Sequence, residues 1–255
     1  MIIKVKKKKH FFMNNNLNDI EKIFGIHACI CVLNNKKRKI QKIWCTDEAF
    51  RKIKKFVSNK KKIEELKILN RSKLDQKLKT TIHQGIVVFC YKLELKNERK
   101  LMQSEKNILI LDSLIDPQNV GSIIRSAYIF GINCIFYNEK NSFSVNEVLI
   151  KAASGAYEKI ELIPVKNIVN LIKTLKKYNF WIIGLDKFGK NDITTIEKNL
   201  KKALILGSEN RGIRNLIKRN CDFLVKIKMQ NNDKFIDSLN VANAAAIFLY
   251  ELNRK

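Results

Sequence analysis

Apolar residues along this chain fall into two regimes, and the change comes near residue 107. Before it, short mixed segments alternate with lysine-rich stretches. Asp19–Asn34 reads as a helix, KIQKIWCT as a strand and Glu48–Asn59 as a helix. KIEELKILN reads as a strand or short helix. GIVVFCY (Gly85–Tyr91) is a strand rich in β-branched and aromatic residues. From Asn107 on, strands and helices alternate. NILILD (Asn107–Asp112) is a short continuous apolar run, as expected of a strand buried on both faces. Asn119–Phe130 reads as an amphipathic helix. NCIFY, the helix Val145–Ala153, KIELIPV, the helix Ile168–Lys177 and FWIIGLD follow. KALILG is the next strand, Ile213–Arg219 a short helix, CDFLVKI a strand and Val241–Arg254 the closing helix. Such alternation predicts an α/β fold with a mainly parallel sheet covered on both sides. Ligands of such sheets sit at the carboxyl ends of the strands. The loops after Asp112, Leu206 and Ile227 are therefore where a site is expected.

The same pattern divides the chain. Residues 1–18 read as a basic leader without a core, expected to be disordered. Residues 19–92 form a compact unit. Residues 93–105 are charged and lack apolar periodicity, so they read as a linker. Residues 106–255 carry the alternating pattern.

Composition adds a bias towards polyanions. The chain has 50 Lys and Arg against 24 Asp and Glu, a formal net charge of +26. A field of that size raises the encounter rate with nucleic acid, although lysine is abundant throughout and a coding bias contributes. None of the six cysteines, Cys29, Cys31, Cys45, Cys90, Cys134 and Cys221, forms a CxxC pair or a zinc-spaced cluster with His. Several lie in apolar runs, where a free thiol behaves as a small hydrophobe. A reducing, cytoplasmic setting is expected. No apolar stretch approaches the ~20 residues that span a bilayer. The first residues lack the apolar core and cleavage site of a secretion signal, and Met13 is an alternative start.

Three segments carry candidate chemistry. In LDSLIDPQNVGSIIRSA (Leu111–Ala127), Asp116-Pro117 breaks the chain after a strand and Asn119 can open a helix. Asn119 and Arg125 are six apart, nearly two helical turns, and so are expected to point to a similar side. Gly121 lets the backbone come close to something. The plainer alternative is a loop-to-helix junction with a surface arginine. In ALILGSENRG (Ala203–Gly212), a buried strand ends at Gly207 and Gly212 leads into a helix. The spacing approaches a phosphate-binding loop, but Ile213 and Arg214 stand where Lys and Ser/Thr belong, which excludes ATP binding. In SLNV (Ser238–Val241), Ser and Asn are ordinary helix caps when taken alone. The set of three, in this order and each at a strand end, changes the weighting.

LDxxxDPxNxGxxxRxA, LxLGxExxG and SLNV together resemble the three signatures of the SpoU/TrmH family of RNA methyltransferases, within the knotted SPOUT class. HQG at His83–Gly85 and FGIHA at Phe24–Ala28 are similar to the ribosomal-RNA subgroup, the RlmB-like enzymes. The resemblance runs from about Glu21 to the C-terminus. It implies a SPOUT α/β knot preceded by a small ribosomal-protein-like domain that binds RNA. It also implies transfer of a methyl group from S-adenosyl-L-methionine to a ribose 2′-hydroxyl, most simply on a guanosine of large-subunit ribosomal RNA. A homodimer with its site near the subunit interface is implied too. Backbone groups matching the family's cofactor loops are Gly207, Ile227 and Leu239. The family's usual IPM, a short glycine-containing loop and SLNVS are here IKM, Gln230–Asp237 and SLNVA. Lys228 thus replaces a proline and Ala242 a common serine.

The resemblance assigns catalysis to Arg125, with Asn119, Glu209, Ser238 and Asn240 around it. A guanidinium is almost never deprotonated. Arg125 is therefore expected to orient the adjacent phosphate and stabilise the developing alkoxide, while phosphate or water takes the proton. Asn119 and Asn240 would position the ribose and Arg125, and Ser238 would bond nucleotide or cofactor. Glu209 would tie down its loop or pair with an arginine. No metal is needed. A 2′-hydroxyl makes RNA, not DNA, the substrate. His27 and His83 receive no catalytic role. The competing readings are an RNA-binding protein without turnover and the same enzyme acting on transfer RNA.

Overall fold

The computed structural model describes residues 20–63, 66–94, 97–197, 199–230 and 238–253. The basic leader 1–18 and most of the altered loop, 231–237, lie outside the described residues.

The first unit is a four-stranded sheet with helices. Its elements are β1 (Ile20–Phe24), α1 (Ile26–Asn34), β2 (Ile40–Cys45), α2 (Asp47–Lys54), β3 (Leu66–Ile68), α3 (Arg71–Leu78) and β4 (Ile86–Tyr91), in strand order β1-β4-β2-β3. Asp19–Asn34 is thus not one helix. Gly25, at φ 90°, sits in a conformation that side chains avoid and separates strand from helix. Thr46 and Asn70 cap α2 and α3 by accepting from Ala49 N and Lys73 N. Helix α3 has no counterpart in the sequence reading, because only Leu74 and Leu78 on it are buried.

The expected linker is partly structured. Residues Glu98–Ser104 form α4, capped by Asn97, and bury Leu101 and Met102. Two apolar residues in a charged segment leave no periodicity to detect, which is why the helix reads as linker.

The second unit contains β5 (Asn107–Asp112), α5 (Pro117–Ile129), β6 (Cys134–Asn138), α6 (Glu147–Ala153), β7 (Glu161–Val165), α7 (Ile168–Lys177), β8 (Trp181–Leu185), β9 (Asn191–Asp192), β10 (Lys202–Gly207), α8 (Asn215–Lys218), β11 (Phe223–Lys226) and α9 (Val241–Asn253). Strand order is β7-β6-β5-β10-β8-β11-β9, and every described pair is parallel. The two-residue β9 is too short to be read from a sequence. Alternate residues of β5 enter two cores. Leu109 and Leu111 pack with α5, α6 and α9, while Ile108 and Ile110 pack with α4, α7 and α8. A parallel strand covered on both faces has no polar side, which accounts for NILILD.

The chain runs outward from β5 through β6 to β7, then returns to place β10 on the other side of β5. The order in which strands are added therefore reverses between β5 and β10, where Gly207 lies beside Asp112. That point is where α/β sheets bind ligands.

Candidate active site

The three motifs come together near this switch point through Asn119, Glu209 and Asn240. Helix α5 starts after Asp116, whose carboxylate accepts from Gln118 N at 3.0 Å, with Pro117 in its first turn. A Cβ at Gly121 would lie 2.5 Å from Leu149 O and 2.6 Å from Ala152 Cβ. The close approach that Gly121 permits is thus to α6.

After β10 the chain folds back on itself, with Ser208 and Gly212 exchanging backbone hydrogen bonds of 3.2 and 2.8 Å. A Cβ at Gly207 would sit 2.0 Å from Gly212 C and 2.1 Å from Ile213 N. No side chain fits there, and Gly212 itself has φ +62°. The loop is a tight knuckle whose Ile213 side chain is locked in the core, not an open phosphate cradle.

A cavity of about 560 Å³ opens at the carboxyl ends of β8, β10 and β11. Leu206 and Gly207 form its floor. Phe188, Ile227, Met229 and Leu239 supply apolar surface, and Asp186, Ser208, Glu209 and Ser238 polar groups. The size and mixed lining suit a nucleoside-sized ligand. Gly207, Ile227 and Leu239, named from sequence as backbone contacts, all border it, as do Glu209 and Ser238. A larger cleft of about 830 Å³ lies where the two units meet. It touches none of the three strand-end loops, so the smaller cavity is the candidate site.

Beside the cavity runs a chain of side-chain hydrogen bonds. Asn240 Nδ2 donates to Asn119 Oδ1 at 3.1 Å, and Asn119 Nδ2 donates to Glu209 Oε1 at 3.1 Å. Glu209 fixes the direction of the whole chain. An ionised carboxylate only accepts, so Asn119 must turn its NH₂ towards Glu209 and its oxygen towards Asn240. Asn240 in turn points its own oxygen at the start of α9, accepting from Ala242 N at 2.9 Å and Asn243 N at 3.4 Å. Capping therefore leaves Asn240 free to join this chain of hydrogen bonds. Glu209 pairs with Asn119 rather than with an arginine.

Arg125 stands apart. Six residues on an α-helix leave it roughly 120° around the axis from Asn119 and about 9 Å farther along, so the two do not share a side as expected. Its side chain is exposed, makes no hydrogen bond or ion pair among the described residues, and does not border the cavity.

One pair escaped the sequence reading. Asp112 is fully buried at the end of β5 and accepts from Arg214 N at 3.1 Å, Nε at 2.8 Å and Nη2 at 2.7 Å. Arg214 is thereby held at the mouth of the β5 and β10 loops with half its side chain exposed. The signal was present: a carboxylate closing an all-apolar strand needs a partner. Lys218 and Asp186, 2.5 Å apart, brace the loop after β8 in the same way.

Comparison with known proteins places this architecture. Residues 106–250 match the family model of the SpoU rRNA Methylase family, and residues 22–96 match that for RNA 2′-O ribose methyltransferase substrate binding. The chain is 33% identical over 247 residues to the 23S rRNA (guanosine-2′-O-)-methyltransferase RlmB of Coxiella burnetii, covering 94% of this chain and 97% of that protein. An uncharacterized tRNA/rRNA methyltransferase of Borreliella burgdorferi is 37% identical over 212 residues, 76% of this chain and 90% of that one. Among solved structures, the SpoU methyltransferase AviRb of Streptomyces viridochromogenes in complex with AdoMet superposes with a TM-score of 0.74 at 19% identity, over 93% of this chain and 90% of that one.

Proposed function

The chain belongs to the SpoU rRNA methylase family, and on that premise we propose that it methylates a ribose 2′-hydroxyl of structured RNA with S-adenosyl-L-methionine as donor. The observation that carries the proposal is the cavity at the β8, β10 and β11 ends with the Glu209–Asn119–Asn240 chain along its rim. The donor, bound there, supplies an electrophilic methyl group on a sulfonium. Its volume, the apolar Phe188, Met229 and Leu239, and the side-chain-free floor at Gly207 fit such a molecule.

The remaining steps belong to this chain's residues. A ribose oxygen must approach in line and lose its proton. Asn119, oriented by Glu209, and Asn240 hold the ribose. Ser238 bonds nucleotide or cofactor. The Arg125 guanidinium stays charged, orients the neighbouring phosphate and stabilises the alkoxide as it forms, and phosphate or water accepts the proton. Alignment of the two substrates supplies much of the acceleration.

Arg125 does not border the candidate cavity of its own chain, and a homodimer resolves this by presenting it to the partner's site. The exposed apolar Tyr128 and Ile129, next to Arg125 on α5, and Ile247 and Tyr250 on α9 support such an interface. Large exposed apolar groups gathered in this way mark contact surfaces.

The target is proposed to be a guanosine of large-subunit ribosomal RNA, bound first by the 20–91 unit. One face of its sheet supports this: Lys22, Phe89 and Lys42 lie in register across three strands, with Trp44 beside them. Lys42 Nζ is 4.7 Å from the ring centre of half-buried Trp44 and 4.3 Å from that of Phe89, which is itself buried with Leu74 and Leu78, and exposed lysines beside a partly exposed aromatic suit RNA. Six free thiols support a cytoplasmic setting, and among the described residues no helix is long and apolar enough to cross a membrane. The deciding experiment maps 2′-O-methylation on ribosomal and transfer RNA incubated with the protein and donor. New methylation at one ribosomal guanosine is expected. Methylation of transfer RNA alone would reject the target, and none on either RNA would reject the activity.

A further inference from the structure

The two units are joined by a buried polar cluster that neither the motifs nor the proposed chemistry uses. Arg38, in the turn between α1 and β2, is 3% exposed. Its Nη1 donates to Glu21 Oε2 at 2.8 Å and to Tyr91 O at 2.6 Å, within the first unit. Its Nη2 and Nε donate to Glu158 of the second unit, at 2.7 and 3.1 Å to Oε1. Asn35 Nδ2 adds a third donor to Glu158, at 2.9 Å to Oε2. The traffic is reciprocal: Tyr157 Oη, of the second unit, donates to Glu21 Oε1 at 2.7 Å. Burial opposes the charge on Arg38, but the hydrogen bonds and charge of Glu158 outweigh it and raise its pKa.

Close packing surrounds the cluster. Helix α1 lies against the turn at 154–158, so near that a Cβ at Gly155 would be 2.2 Å from Cys31 Sγ and 3.2 Å from Cys31 Cβ. One apolar core runs through both units, from Ala28 and Val32 of α1 to Ala153 and Ala156. An apolar contact alone tolerates sliding. A forked guanidinium between two carboxylates, with each unit donating to the other, satisfies its partners in one register only. Separation would strip Glu158 of the Arg38 Nε, Arg38 Nη2 and Asn35 Nδ2 donors.

We infer that Arg38 and Glu158 are positioning residues for the RNA substrate: they hold the 20–91 unit in one orientation, so that the enzyme measures a fixed span between the Lys42–Trp44 face and the cavity. This rests on the RNA-methylation reading above. It makes the first unit a ruler and not a tether, and RNA is selected by the distance between the element it docks and the ribose it offers. A pre-set orientation also avoids an ordering cost at each binding event.

The Gly155→Cys variant tests this directly. Its new Cβ lies close to the ~3.8 Å Cβ separation of a disulfide with Cys31 after a shift of a few tenths of an ångström. Mild oxidation of the full-length protein should close that disulfide nearly completely. The closed form should methylate folded RNA within about threefold of its reduced form, well under one decade of rate. Failure of the disulfide to form in folded protein would overturn the docked arrangement, whether or not the protein is active. A loss of tenfold or more on closure, restored by reductant, would show that the units must part during turnover. The Glu158→Gln variant is the second arm. It should raise KM for folded RNA about tenfold while kcat at saturating RNA and donor affinity stay within about twofold. An unchanged KM would overturn the positioning role, and a lowered melting temperature with proportionally lowered kcat would mark a merely structural one. Wild-type protein inactive on every RNA would strike at the methylation reading alone, since disulfide yield still reports on docking.

Discussion

On the proposed mechanism, replacing Arg125 with alanine should separate catalysis from every other property of the protein. Its surroundings and general energetics set the size of each effect. The side chain is exposed and has no hydrogen-bond or ion-pair partner among the described residues. Stability should therefore change by less than about 0.5 kcal/mol, which for a chain of this length is under ~2 °C in melting temperature. Arg125 does not border the cavity of its own chain, and in the partner's site it is assigned to the RNA phosphate and alkoxide, so donor affinity measured by calorimetry should stay within about twofold, a difference of ~0.4 kcal/mol. Loss of one phosphate contact should lower the slope of log affinity for RNA against log salt by about one at most. The chemical step should fall ~10²- to 10³-fold, the 2.7–4 kcal/mol typical of removing a group aimed at developing charge. Arg125→Lys should recover part of it, because an ammonium keeps the charge but not the planar fork. Single-turnover kinetics at saturating donor read the step itself. An Arg125→Ala protein that methylates at near wild-type rate would refute the mechanism and the placement of the site together.

Other changes probe the remaining parts. Gly207→Ala puts a methyl group 2.0 Å from the Gly212 carbonyl carbon. It should cost about 1–3 kcal/mol of stability by overpacking and abolish detectable donor binding by calorimetry, since the cavity floor must move. Asn119→Asp sets a carboxylate where an NH₂ now faces Glu209 Oε1 at 3.1 Å; methylation should drop at least ~10-fold, with about half recovered on adding Glu209→Gln, a coupling that a double-mutant cycle reads. Tyr250→Glu buries a charge in the proposed subunit contact; sedimentation should shift from dimer to monomer, and activity should fall with it. Lys42→Glu should weaken RNA binding strongly at low salt and little at high salt, as gel-shift titrations at two ionic strengths would show.

How much of this was legible in the sequence depends on where each element draws its stability. Strands β5 and β10 were plain because both of their faces are buried, so their inner positions are all apolar. Helix α7 was read to the residue, since Ile168, Leu171, Ile172 and Leu175 repeat at helical spacing. Helices α3 and α4 were missed because each buries only two side chains, too few to set a period. The strand and helix before Asn34 were merged because apolar residues run through both, and only the backbone at Gly25 marks the break. The Arg38–Glu158 pair was beyond reach. Its members lie 120 residues apart, and nothing local distinguishes them among 50 basic and 24 acidic side chains.

The site was legible as a set of residues but not as a circuit. Asn240 read most simply as a helix cap, and Asn119 as the start of a helix. Those roles and the proposed chemical ones are not rivals. A cap consumes an asparagine's oxygen and leaves its NH₂ free to reach across to another loop. Asn240 spends its oxygen on Ala242 N and offers its NH₂ to Asn119, which passes the same polarity on to Glu209. The backbone at the start of α9 fixes one end of the chain and an acceptor-only carboxylate fixes the other. The amide between them has one orientation that satisfies both, so in the proposed role it is set before RNA arrives and needs no reorganisation during the reaction.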